Sequence, residues 1–211
     1  MKNCLNVLLM IALLSPGTTL FAQDAGTVLM FVRDGSRDLG LMVHDEVLVM
    51  KQMLEEAGFA VDVATVDGKD IVIDGVTVSV DHAVAGLSMS DYVGLLLPCM
   101  GPPASATVEA KVVELVKEAD AAGKPIAASR SSVEFLAEAG VLQGRNYAYA
   151  SPVNVQSRPD FAGATFSGTG TVQDGHLTTT GICPISAPSA NLPDGTRDLM
   201  QSLITSLQAG G

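Results

Sequence analysis

Apolar residues fall into short continuous runs separated by longer stretches in which they recur every three or four positions. Thr27 to Val32, Asp91 to Pro98 and Pro125 to Ala128 have the uninterrupted apolar character of strands buried on both faces. Ala60 to Val66 alternates and predicts a further strand. Between the first run and this one, Leu39, Met42, Val43, Val47, Met50, Met53 and Leu54 share one face of a helix over 39–57, which Gly58 stops. The same spacing predicts a helix from Ala104 to Ala121, on Val108, Val112, Val113, Leu115 and Val116, with Gly123 at its end, and a last one from Asp198 to Leu207. Asp74-Gly75 and Asp174-Gly175 sit between strand-like segments and predict two-residue hairpins. Tyr147 to Tyr149 and Ala164 to Phe166 are weaker strands. An opening strand-helix-strand unit implies a right-handed crossover, and so an α/β fold on a parallel sheet.

The first 22 residues do not belong to this pattern. Lys2 precedes a mostly apolar stretch from Leu5 to Leu14, and Leu20-Phe21-Ala22 resembles a small-residue cleavage site, so residues 1–22 are expected to be a signal peptide. The apolar run is short of the roughly 20 residues that span a bilayer and is broken by Pro16-Gly17. Residues 23–211 are then expected to be one exported domain, periplasmic or secreted, with no membrane contact after cleavage. The chain of 211 residues carries a net charge of −11, and loss of Lys2 makes it one unit more negative. Nucleic acid and anionic lipid are poor partners for such a chain. It has no Trp, which leaves little material for base stacking or aromatic cages.

The most informative stretch is Gly123-Lys124-Pro125-Ile126-Ala127-Ala128-Ser129-Arg130-Ser131-Ser132, continuing to Gly140-Val141-Leu142-Gln143-Gly144. A buried strand turns sharply into a helix here, and Ser131 with Glu134 has the spacing of a capping box. Such an elbow brings side chains to the carboxyl edge of a sheet, where open α/β folds bind ligands. From Gly123 to Arg145 the segment resembles the ThiJ/PfpI superfamily, the class I glutamine-amidotransferase-like group that includes the parkinsonism-associated deglycase. The likeness extends to Pro98-Cys99-Met100-Gly101, similar to a strand ending that helps form an oxyanion hole in the group, and to Gly181-Ile182-Cys183-Pro184 after the second hairpin. It implies a flavodoxin-like three-layer sandwich with a mostly parallel central sheet, and a tendency to form homodimers.

The resemblance breaks at the elbow. Arg130 stands where the group has its nucleophilic cysteine, and a guanidinium has no lone pair with which to attack. Arg130, with Ser129, Ser131, Ser132, Cys99, Gly101 and Pro184 around it, is therefore a candidate binding site for a small carboxylate or phosphate. The alternative is that Arg130 pairs internally with Glu46 or Asp38 and fills a dead pocket. The group's acid aligns with Gly40, and Glu46 is the best replacement, against the reading that it is a solvated surface charge.

Cys99 and Ser131 are the candidate nucleophiles if hydrolase, glyoxalase or deglycase chemistry is retained; holdase chaperone activity is a further reading. His82 is expected in a loop and His176 exposed on its hairpin, so neither is placed to serve as a base. The resemblance brings Cys99 and Cys183 towards the same pocket, where they form a disulfide, offer one reactive thiol, or stay as two buried thiols. No metal site or cofactor is expected from this residue set.

Overall fold

The computed structural model describes residues 25–36, 38–101, 109–151, 153, 155 and 157–210; the expected signal peptide and the start of the helix expected from Ala104 lie outside them. In chain order the strands are β1 (Thr27–Phe31), β2 (Ala60–Thr65), β3 (Ile71–Ile73), β4 (Val76–Val78), β5 (His82–Ala83), β6 (Gly94–Leu97), β7 (Ile126–Ser129), β8 (Asn146–Tyr147), β9 (Thr165–Phe166), β10 (Thr171–Asp174) and β11 (Leu177–Thr180). Seven of them make the central sheet in the order β10-β11-β7-β6-β1-β2-β5. Every neighbouring pair in it is parallel except β10 with β11, the Asp174-Gly175 hairpin. The expected Asp74-Gly75 hairpin forms as β3 and β4, with positive φ at both turn residues (51° and 80°), as a type I′ turn requires.

Alternation along β1 explains the layers. Val28 and Met30 point to one face, where they pack with Val63, Leu96 and Ala127 under helices α1 (Leu39–Met42), α2 (Leu48–Glu56) and α6 (Thr196–Ala209). Leu29 and Phe31 point to the other, with Leu95, Leu97 and Ala128 under α3 (Ala110–Ala121) and α4 (Val133–Glu138). Two apolar cores on one sheet make the three-layer sandwich that the family resemblance implied. Among the described residues no helix is long and apolar enough to cross a membrane.

Several local features differ from the sequence reading. The first helix contains a π turn, Val43–Val47, where the Leu48 N–H reaches back five residues to the Val43 carbonyl. The Ser131–Glu134 capping box does not form. Arg130–Ser132 is a 3₁₀ turn, and the Glu134 carboxylate is drawn instead to the Tyr149 hydroxyl (2.7 Å) and to Arg158 (2.9 Å). A short helix, α5 (Ala187–Ala190), follows the Cys183 loop. His82 lies on edge strand β5 rather than in a loop, 3.1 Å from Asp62. His176 is half-buried rather than exposed, 2.8 Å from Asp120, because Asp120 and Arg145 close over the hairpin.

Candidate functional site

The chain passes from β1 to β2 on one side and later places β6 on the other, so the strand order reverses at β1. Crevices at such reversals open at the carboxyl ends of the strands. Four chain segments meet there: Arg33 after β1, Pro98 to Gly101 after β6, the elbow after β7, and Ile182 to Pro184 after β11.

Arg130 itself forms the bend. Its φ of 41° is left-handed, a conformation that costs a non-glycine residue of order 1 kcal/mol or more. The side chain is half-buried, its Nε is buried without a hydrogen-bond partner, and it makes no ion pair among the described residues. Neither acid named as an internal partner meets it. Glu46 is fully buried rather than solvated, and its Oε2 accepts the Cys99 backbone N–H at 2.9 Å. Gly40, at the aligned acid position, lies under the hairpin tip: a Cβ there would come 2.3 Å from Asp74 Oδ2, so a side chain at 40 requires the exposed Asp74 side chain to swing aside.

Glu46 reaches the crevice from the π turn. Burial, with the Cys99 sulfur nearby, raises its pKa well above the ordinary carboxyl value, and the Cys99 N–H and Ser129 hydroxyl offset part of that rise. The contact with Ser129 falls short of good hydrogen-bond geometry, since Ser129 Oγ and Glu46 Oε1 are both buried without a partner.

Cys99 and Cys183 are brought together from the two loops. They are free thiols, 2% and 0% exposed, with their sulfurs 2.9 Å apart. Ser131 Oγ lies 3.4 Å from the Cys99 sulfur, and Ser186 Oγ lies 3.7 Å from that of Cys183. The surroundings divide the pair. The hydrogen bond with Cys183, followed by burial, pushes the Cys99 pKa up. Its hydrogen bond with Cys99 pulls Cys183 down against its burial, helped by Ser186 and the charge of Arg130.

Of the remaining expected site residues, Ser132 is buried and donates to the Pro98 carbonyl, which ties the elbow to the β6 loop. Gly101 continues that loop to the border of the undescribed 102–108 segment. Pro184 opens onto a separate shallow cavity lined by His44, Asp45, Asp194 and Arg197. Among the described residues no group of three or more His, Cys, Asp or Glu is arranged to hold a metal ion.

Arg33 is a site residue that the sequence reading missed. Its guanidinium is 6% exposed, forks onto Glu109 at 2.7 and 2.6 Å, donates to the Met100 carbonyl at 2.8 Å, and lies 5.0 Å from the Phe135 ring centre. A charged residue at the end of a buried strand was the available signal.

A parallel sheet with a left-handed, non-glycine residue at a strand-to-helix elbow, beside a buried carboxyl group, defines an α/β protein of the nucleophile-elbow type. The chain belongs to the DJ-1/PfpI family, whose model matches residues 26–189. It is similar to the deglycase TK1284 of Thermococcus kodakarensis, at 31% identity over 150 residues, covering 71% of this chain and 86% of that protein. The deglycase PYRAB04690 of Pyrococcus abyssi is 32% identical over 105 residues, 47% of this chain and 61% of its own length. Among solved structures, a ThiJ/PfpI domain protein from Brachyspira murdochii superposes with a TM-score of 0.69 at 16% identity, covering 89% of this chain and 98% of that one. Drosophila melanogaster DJ-1beta superposes at 0.61 with 19% identity, covering 88% and 96%.

Proposed function

We propose that this is an exported DJ-1/PfpI-family protein whose elbow has exchanged its nucleophilic cysteine for Arg130 and binds a small carboxylate- or phosphate-bearing ligand without covalent catalysis. The observation that carries this reading is the unmet charge of Arg130: Nε is buried without an acceptor, and no described acid pairs with it. Glu46, the nearest acid by sequence expectation, is occupied by the Cys99 N–H. A guanidinium forks well onto a carboxylate or phosphate, and Ser131, half-buried beside it, supplies a hydroxyl. Calorimetric titration at low ionic strength with inorganic phosphate and with short-chain carboxylates tests the reading. Binding that weakens at least about 10-fold in Arg130→Met supports it; equal binding by the variant, or no binding by either protein, overturns it.

Deglycase-type chemistry on Cys99 is the second reading, favoured by the names of the relatives and by the backbone contact between Cys99 and Glu46. Against it, the Cys99 thiol is buried and its pKa is raised, so little thiolate faces a substrate. Glyoxal-adduct turnover that disappears in Cys99→Ser would put this reading first.

A further inference from the structure

We infer that Cys99 and Cys183 are a dithiol–disulfide couple, a two-electron redox site beneath the Arg130 elbow whose chemistry does not require the anion ligand. The sulfurs lie 2.9 Å apart in one buried pocket, so bond formation needs less than an ångström of approach and no refolding of either loop. Both loops are anchored on their own side. The Cys99 N–H is held by Glu46, and the Cys183 N–H by Ser186 Oγ at 3.0 Å, which in turn donates to the Cys183 carbonyl. Thiol chemistry also needs an asymmetric pair, one sulfur ionised and one protonated. Here the hydrogen bond with Cys99, then Ser186 and Arg130, favour the thiolate at Cys183 against its burial and the nearby Glu46 carboxyl, while that same hydrogen bond and burial hold Cys99 protonated.

The oxidant that fits a pocket this closed is a small peroxide, since a protein disulfide cannot reach sulfurs that are 2% and 0% exposed. In the first step the Cys183 thiolate attacks one peroxide oxygen. An S–O bond forms, the O–O bond breaks, and the departing hydroxide takes the Cys99 proton as water. In the second step the Cys99 thiolate attacks the Cys183 sulfenic sulfur. The S–S bond forms, the S–O bond breaks, and hydroxide leaves. The thiols lose two electrons and the peroxide gains them. The closed loop joins residues 84 positions apart, so the oxidised form should resist unfolding more than the reduced one.

The test treats the reduced full chain with hydrogen peroxide, blocks remaining thiols under denaturing conditions, and maps the peptides by mass, which separates the pair from Cys4. A Cys99–Cys183 peptide lighter by two hydrogens, restored by dithiothreitol, is expected, with Tm raised on the order of 10 °C. Cys99→Ser should trap a sulfenic acid at Cys183, whereas Cys183→Ser should leave Cys99 at least about 10-fold slower to oxidise. Two thiols still open to blocking after peroxide, or oxygen adducts on the wild-type chain without the linked peptide, overturn the inference. That reading depends on the wild-type protein alone and stands whether or not the variants fold.

Discussion

Two polar clusters flank α4, and they are built on opposite principles. On the surface side, Tyr149, Glu134, Arg158 and Asp160 satisfy one another: Glu134 accepts from Tyr149 and pairs with Arg158, which also reaches Asp160 and lies over the Phe161 ring. At the carboxyl edge of the sheet, Glu46 Oε1, Ser129 Oγ, Arg130 Nε, Thr180 Oγ1 and Thr171 Oγ1 are all buried without partners. Three of these lie in one row across the sheet, because Thr171 pairs in register with Thr180 and Thr180 with Ser129. Native folds leave few buried polar atoms unmet, since each costs about 1–3 kcal/mol. A cluster of such atoms at one edge marks where stability has been given up for something else, whereas the paired cluster is ordinary scaffolding.

The largest effect is expected where both patterns overlap, at an ion pair that is buried like the sheet edge and fully paired like the surface cluster. Arg33→Ala should cost about 3 kcal/mol or more in denaturant unfolding, because it strands Glu109 and frees the Met100 carbonyl. Arg33→Lys should recover only part of that loss, since an ammonium cannot fork onto the carboxylate. A small loss in Arg33→Ala would remove the pair from the site's framework.

Next comes the pH response of the unmet edge. Burial raises the Glu46 pKa in the folded state above its unfolded value. Its contribution is therefore fully present below the ordinary carboxyl pKa and is lost as pH rises through the raised folded value. Unfolding midpoints measured across that window should decline with pH in the wild type and flatten in Glu46→Gln. An unchanged slope in the variant would assign the titration elsewhere.

At the elbow the two principles separate most cleanly. Arg130→Gly should stabilise the fold by about 1 kcal/mol, because glycine accepts the left-handed φ that arginine strains against, while abolishing anion binding. A gain in stability together with a loss of binding would identify Arg130 as kept for its charge. The smallest effect belongs to the scaffolding: Arg158→Ala, with its side chain 34% exposed, should cost less than about 1 kcal/mol and leave ligand binding and thiol oxidation unchanged.

These differences also explain how far the sequence could be read. β1, β6 and β7 were legible because strands buried on both faces are continuous apolar runs, and the Asp-Gly hairpins because a two-residue turn is local chemistry. Glu46 was legible in part: it falls four residues after Met42 and three after Val43, inside the apolar stripe, which is a signal of burial. The Ser131–Glu134 box misled because Tyr149 and Arg158 outbid the local cap, and no local pattern reports a competitor that arrives through the fold. The Arg33–Glu109 pair spans 76 positions, beyond any spacing rule. The π turn was invisible because over a single turn its period barely departs from that of an ordinary helix.

That π turn sets how deep the site lies. Between Met42 and Leu48 the helix spends one residue more than its pitch requires, and the surplus acts as a shim that seats Glu46 against the Cys99 backbone. Exchanging side chains in this segment tunes acidity or packing. Gaining or losing a residue would turn the whole side chain away from the Cys99 N–H, so the geometry of the pocket is written there as a count as well as a choice of amino acid.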